Sequence, residues 1–399
     1  MSERKGAVPP GLGSDDRGTG APREPKRAPL SWTEEGRPRN EGGATREGQG
    51  SRARGGERGE RSEGAGSVRL VERVSRVRES GILVVLVVFV AVTTLVRHRF
   101  LDASNIQFVL VDTTVFALLS LGETMVVISR NVDLSVGSVV GLSAYLSADL
   151  FARHPGIPIP VVFLAGLGIG LACGIANGVM VAAGRVPSLV VTLATLYIIR
   201  GIDILIVGGS EVDASSLPNA FLDIPKDTIV GIPDIAIAVA VIIGIGAYYL
   251  RTYRSGRDLY AIGSNPDAAR LAGLPVGRRV FTAFAVSGAV AGVAGVLWSA
   301  QYGTINSTAG TGYELQVVSA VVVGGVAIFG GSGSIVGAAI GALLLTTISS
   351  ALYVLGISSF WDQAIWGFLL LLAIALDQTI TERLTRALRA AAGRTSRSR

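Results

Sequence analysis

The chain has 399 residues, of which 49% are hydrophobic and only 17% charged, and its mean hydropathy is +0.50. That balance is too apolar for an ordinary soluble protein. The net charge of +6 does not point to nucleic acid, because the arginines cluster beside long apolar runs, as they do at membrane spans.

Residues 1–79 carry 17 of the 36 Lys and Arg and 13 of the 30 Asp and Glu, with much Gly, Pro and Ser. Such a segment cannot bury enough apolar surface to fold and is expected to be a disordered cytoplasmic tail. It has no apolar stretch of the kind found in a secretory leader. Within it, residues 68–79 (VRLVERVSRVRE) read as a short amphipathic basic helix for the membrane surface.

Ten apolar spans follow, at 81–96, 106–128, 134–152, 159–183, 188–207, 230–250, 280–300, 315–330, 335–355 and 361–377. Crossing the hydrocarbon core takes about 20 residues of helix. Several spans meet that length, while the first and eighth are short and the second and third are parted by only a few polar residues. Short or interrupted spans suit a substrate path, since irregular backbone survives at depth only where it is buried or hydrated. The expected fold is an all-α polytopic membrane domain over residues 80–378, with a basic C-terminal tail at 379–399. An internal repeat is also expected, because DLSVGSVVGLSAYL at 133–146 echoes GGSGSIVGAAIGALLL at 330–345.

Arginine sets the expected orientation. The N-terminal tail, Arg185, residues 251–279 and the C-terminal tail all fall on one side of ten spans, which is the cytoplasmic side, along with Arg130. Arg97, His98, Arg99 and Arg153 are local exceptions. Residues 208–229 and 301–314 then face outward.

Glycines recur at four-residue spacing. Gly166, Gly170, Gly174 and Gly178 share a face of the fourth span, Gly288 and Gly292 one of the seventh, and Gly333, Gly337 and Gly341 one of the ninth. These stripes are expected to bring helices into close contact.

Catalytic chemistry has little to work with. His98 and His154 lie where spans end, and the single cysteine, Cys173, sits inside an apolar run, which excludes a disulfide within the chain and a cysteine-based metal site. No nucleophile with a neighbouring base is apparent, so no enzyme activity, metal or cofactor is expected. The LSVGS at 134–138 is similar to a signature of ABC ATPases, but it lies within a span. No G-x-x-x-x-G-K-[ST] loop accompanies it, so any ATP hydrolysis must occur in another chain.

Ionisable groups at membrane depth are costly and draw attention to function. They are Glu123, Arg130, Asp133, Arg200 and Asp203. Asp133 is placed to cap the third span. Arg200 and Asp203, three residues apart, are placed to pair. Glu123, Asn131, Asp133, Ser135, Thr311 and Glu314 are the candidates for the translocation path.

Four segments together carry a family resemblance: NVDLSVGSVVGLSA (131–144), GRVPSLVVTLATLYIIRG (184–201), SGRDLYAIGSNPDAARLAGLPV (255–276) and TAGTGYELQVVSAVVVGGVAIFGGSGSIVGAAIGALLL (308–345). From about 101 to 377 the chain resembles the permease subunits of ribose-type ABC sugar importers. The resemblance implies a bacterial inner-membrane permease with both termini cytoplasmic. Its implied partners are cytoplasmic ABC ATPase subunits, an extracytoplasmic sugar-binding protein and a second permease subunit. It also implies that 251–277 is where the ATPase docks, with Gly256, Arg257, Ala261, Gly263, Asn265, Ala268, Ala269 and Gly273 at the matching positions and Arg270 among them as a further docking candidate. The short residues among these are expected to let a helix press into a groove on the partner, and Arg257 and Arg270 to meet acidic groups there. Ribose-type members commonly carry Gly-Gly-Ile-Asp before LSVGS. Here Arg130-Asn131-Val132-Asp133 keeps only the Asp, which is closer to the rhamnose and autoinducer-2 branch. An ion-coupled secondary transporter and a non-transporting membrane receptor or scaffold are the alternatives.

Overall fold

The computed structural model describes the backbone of residues 80–397 and the side chains as far as 379. The expected tail at 1–79, its amphipathic segment and the side chains of the C-terminal tail lie outside the described residues.

The described chain is almost wholly helical. Its helices are α1 (Ser80–Val96), α2 (Ala103–Ile128), α3 (Val136–Arg153), α4 (Ile159–Ala182), α5 (Ser188–Val207), α6 (Asn219–Asp223), α7 (Asp234–Thr252), α8 (Arg254–Ser264), α9 (Pro266–Leu271), α10 (Val276–Tyr302), α11 (Tyr313–Val323), α12 (Ile335–Leu355) and α13 (Phe360–Arg397). Among the described residues, 7 helices are long and apolar enough to cross a membrane: α2, α4, α5, α7, α10, α12 and the first part of α13, Phe360–Thr379. The shorter α1, α3 and α11 complete the ten expected apolar spans, and the protein is an all-α polytopic membrane protein. A two-strand hairpin, β1 (Thr228–Ile229) with β2 (Ile232–Pro233), turns through Val230 and Gly231, both at positive φ as a tight two-residue hairpin loop requires.

Burial divides the helices. The apolar window of α2 is 89% buried, whereas that of Phe360–Thr379 in α13 is 0% buried. α2 and α10 therefore form the centre, with α3, α4, α7, α11 and α12 packed around them. The apolar residues of α4, α5, α7 and α13 that remain exposed, such as Leu164, Leu205, Ile245 and Leu371, are suited to lipid.

Glycine sets how closely the centre packs. Gly166, Gly170, Gly174 and Gly178 all face α10. A side-chain carbon on Gly170 would stand 2.6 Å from the Gly292 nitrogen, and one on Gly174 3.0 Å from the Gly288 Cα. The two stripes therefore interlock. The stripe read into the ninth span needs a correction: Gly333 has φ 136 and precedes α12, so only Gly337 and Gly341 share that helix's face. Both meet the end of α11, where carbon on Gly341 would come within 2.9 Å of the Gly324 nitrogen. The start of α11 is held the same way by α3, since carbon on Gly137 would lie 2.7 Å from the Gly310 carbonyl oxygen.

The eighth span also differs from expectation. Helix α11 ends at Val323, and residues 324–334 form an apolar loop in which Gly325, Gly330, Gly331 and Gly333 have positive φ. A second break, 129–135, separates α2 from α3 and turns at Arg130, with φ 67. The two segments that echo one another in sequence thus each begin at a break and continue into a helix.

Candidate functional site

The 251–277 segment is not an open loop but two short helices, α8 and α9. They are hinged at Asn265, whose side chain accepts hydrogen bonds from the backbone N–H groups of Asp267 at 3.1 Å and Ala268 at 3.0 Å. This caps α9, with Pro266 at its first position, where its missing N–H costs nothing. Gly273, at φ 76, turns the chain out of α9 toward α10. Asp258 of α8 accepts a 2.8 Å hydrogen bond from Arg279 of α10, an ion pair in which both side chains are largely buried.

The residues expected to meet a partner fall on two faces. Arg257, Ala261, Asn265, Ala268, Arg270 and Gly273 are exposed, together with Arg254 and the side chain of Leu271. Gly256, Gly263 and Ala269 are buried against the protein's own bundle, which corrects the expectation that they enter a groove on another chain. A carbon on Gly256 would stand 2.6 Å from the Leu250 Cα, so this glycine folds α8 back onto the end of α7.

Gly263 has the most consequential position. Its α-carbon rests against the Ile128 carbonyl oxygen, at the end of α2, and a side-chain carbon there would come 2.5 Å from the Gly331 nitrogen. The two breaks are themselves joined, because Gly331 N–H donates to that same Ile128 oxygen at 2.9 Å. Tyr260, one turn earlier in α8, donates its hydroxyl to the Gly333 carbonyl at 3.0 Å. One side of α8 therefore grips both breaks while the other is free, and Arg130, Ser264, Phe329 and Ser332 border an open cavity of about 410 Å³ at the seam. α8 is thus in direct contact with the end of α2 and with Gly331 and Gly333 of the 324–334 loop.

The six candidates for the path do not come together. Glu123, Asp133 and Ser135 form one buried polar network. Asp133 N–H donates to Glu123 Oε1 at 3.1 Å, and the Asp133 carboxylate accepts from the Ser135 hydroxyl at 2.6 Å, its N–H at 3.0 Å, and Ser287 at 3.2 Å. Asp133 thus stabilises the entry to α3 through Ser135 rather than as its first capping residue. Asn177 adds a 2.8 Å bond to the Ser135 hydroxyl. Glu123 Oε2 and Asn177 Oδ1 are buried without a partner. Asn131 is half-buried beside this network and bonds the Ser129 carbonyl at 3.0 Å. Arg130 is exposed and Asp133 buried, so the two do not pair.

Thr311 and Glu314 stand at the start of α11; Glu314 lies against Gly137 of α3, two residues after Ser135, but no hydrogen bond joins it to that network. Arg200 of α5 reaches this region, donating to the Ala309 carbonyl at 2.6 Å and standing 3.8 Å from Asp203. Glu314 Oε2 is buried and unpartnered. Sequence reasoning missed Asn177 and Ser287. Both are polar residues beside the glycines of a packing stripe, Asn177 next to Gly178 and Ser287 next to Gly288, and that was the available signal.

Comparison with known proteins agrees with this architecture. Residues 105–374 match the family described as the branched-chain amino acid transport system / permease component. The autoinducer 2 import system permease protein LsrC of Enterobacter sp. (strain 638) is 35% identical over 311 residues, covering 78% of this chain and 89% of that protein. The ribose import permease protein RbsC of Escherichia coli (strain K12) is 33% identical over 299 residues, covering 74% and 92%. No solved structure matches. The chain belongs to this family of transport-system permeases, as a multi-pass membrane component of an ABC importer rather than an enzyme, and its general partners are an ATPase and a binding protein.

Proposed function

We propose that this protein is the membrane path of an ATP-driven importer for a monosaccharide or a similar small polyhydroxylated ligand, such as a rhamnose-like sugar or an autoinducer-2-like signal. A binding protein delivers the ligand to the face formed by residues 208–229 and 301–314, and a second permease copy or paralogue completes the path. The exposed side of α8 and α9 receives the ATPase on the cytoplasmic face, where both termini also lie. The observation that carries the reading is the seat of Gly263 against both the Ile128 carbonyl and Gly331, which links a free basic surface to the two broken helices. The import of autoinducer 2 and of ribose named for the relatives supports the ligand class.

The test is uptake into proteoliposomes holding the permease with its ATPase and binding protein. Sugar accumulation that requires ATP is expected. Accumulation driven by an ion gradient without ATP would replace this reading with a secondary transporter.

A further inference from the structure

Near the end of the bundle remote from α8, three helices bring together an aromatic and acceptor-rich cluster that none of the foregoing functions uses. α2 supplies Asp112 and Phe116, α10 supplies Trp298, Gln301 and Tyr302, and α11 supplies Tyr313. Asp112 precedes Ile128 by 16 residues, or about 24 Å along the α2 axis. The rings form a continuous surface: Trp298 and Tyr302 have centroids 4.5 Å apart, and Phe116 and Tyr313 4.6 Å. The two pairs are joined by a 2.9 Å bond from the Trp298 indole N–H to the Tyr313 hydroxyl. Tyr302 remains 44% exposed, Trp298 and Tyr313 are half-buried and Phe116 is buried, so the cluster opens at Tyr302.

The hydrogen-bond inventory is lopsided toward acceptors. Asp112 Oδ1 takes the Tyr302 hydroxyl at 3.1 Å and the Gln301 amide N–H at 3.5 Å. Gln301 Oε1 is buried with no donor, and so is Oδ1 of Asp362 on α13, an electrostatic neighbour of Asp112. The cluster contributes its donors inward and leaves oxygens unmatched. Buried acceptors without donors are costly, and a ligand rich in O–H groups would satisfy them.

We infer that Asp112, Gln301, Trp298 and Tyr302 form a low-affinity subsite for a polyhydroxylated ligand within the path, the hydroxyls donating to Asp112 and Gln301 while the ligand's C–H face lies on the Trp298 and Tyr302 rings. This rests on the proposed function, and it names residues distinct from Glu123, Asn131, Asp133, Ser135, Thr311 and Glu314. Two aromatic rings inclined at 33°, with a carboxylate beside them, offer both an apolar face and an acceptor to a sugar ring.

The experiment uses the complete transporter in proteoliposomes, with ribose as probe, following uptake, ATP hydrolysis and melting temperature. Asp112→Asn keeps the shape and one acceptor but removes the charge. It is expected to lower uptake about tenfold, the scale of one hydrogen bond to a charged group, with hydrolysis and melting unchanged. Trp298→Leu should do the same, and Trp298→Phe, which keeps a ring, should recover most of the loss. Wild-type uptake in both Asp112→Asn and Trp298→Leu would overturn the subsite. So would loss of uptake in step with loss of melting temperature, since that marks a structural role. Tetramethylammonium inhibiting ribose uptake through Asp112 would overturn it in favour of a cation site. If the wild-type transporter carries no polyhydroxylated compound at all, the proposed function fails first, and that outcome is read from the wild type alone.

Discussion

The Gly263 α-carbon lies against the Ile128 carbonyl oxygen, so helix α8 touches the last residue of α2 with no side chain between them. A methyl group has no room here. Gly263→Ala is expected to destabilise the protein by about 1–3 kcal/mol through overpacking, seen as a fall of several degrees in the melting temperature of the purified protein. Gly277→Ala is the control, because its new carbon would find its nearest neighbour at 3.6 Å. Equal melting of the two variants would refute the tight seat.

Arg257 is exposed on the opposite side of α8. Arg257→Glu should leave melting unchanged yet weaken co-purification of the ATPase, and more so at low salt, where surface charge is least screened. Undiminished association at low salt would move the docking surface elsewhere.

The Asp258–Arg279 pair fastens α8 to the start of α10. Removing one partner strands the other in a largely buried place, so Asp258→Ala is expected to cost about 3 kcal/mol. The double variant Asp258→Ala with Arg279→Ala should cost less than the two single losses added together, because the stranded charge is gone. Strict additivity in a double-mutant cycle would show that the pair is not coupled.

Gly170 and Gly168 sit two residues apart on α4 and face opposite ways. Gly170 meets α10, whereas a carbon on Gly168 would find nothing within 4 Å. Gly170→Leu should abolish recovery of folded protein from detergent, and Gly168→Leu should behave as wild type in size-exclusion chromatography. Similar yields from both would undo the interlocked packing of α4 and α10.

Asn265 holds the first turn of α9. Asn265→Ala should cost about 1 kcal/mol locally and speed amide exchange across residues 266–272, while Asn265→Asp should restore protection. Exchange unaffected by the alanine would mean that the cap is not what orders this helix.

Much of the architecture is legible in hydropathy. The spans expected at 188–207 and 335–355 are α5 and α12 as observed, because predominantly apolar runs of that length have no other stable form in lipid, and the two charges in α5, Arg200 and Asp203, stand 3.8 Å apart. The eighth span misleads for a physical reason. Residues 324–334 are largely apolar, but their glycines adopt conformations outside the helix, and hydropathy does not distinguish a half-buried apolar loop from an apolar helix. The 251–277 segment shows the opposite error. Its polarity suggested a loop, while Asn265-Pro266 in fact marks the junction of two helices. Glycine identity revealed close packing but not its direction. Gly256 and Gly263 were legible as positions where backbone approaches backbone, but whose backbone depended on the fold. The aromatic cluster was invisible beforehand, since Asp112, Trp298 and Tyr313 lie far apart in the chain.

Helix α11 has 11 residues, about 16 Å of length, and is seated at its start on Gly137 of α3 and at its end on Gly341 of α12. A rod that short does not bend. Pressed at one seat, it can only slide or tilt as a piece, so it works as a strut between the two halves of the bundle. A shift of the 324–334 loop, which follows this helix directly, would therefore be felt at the other seat, beside Glu314.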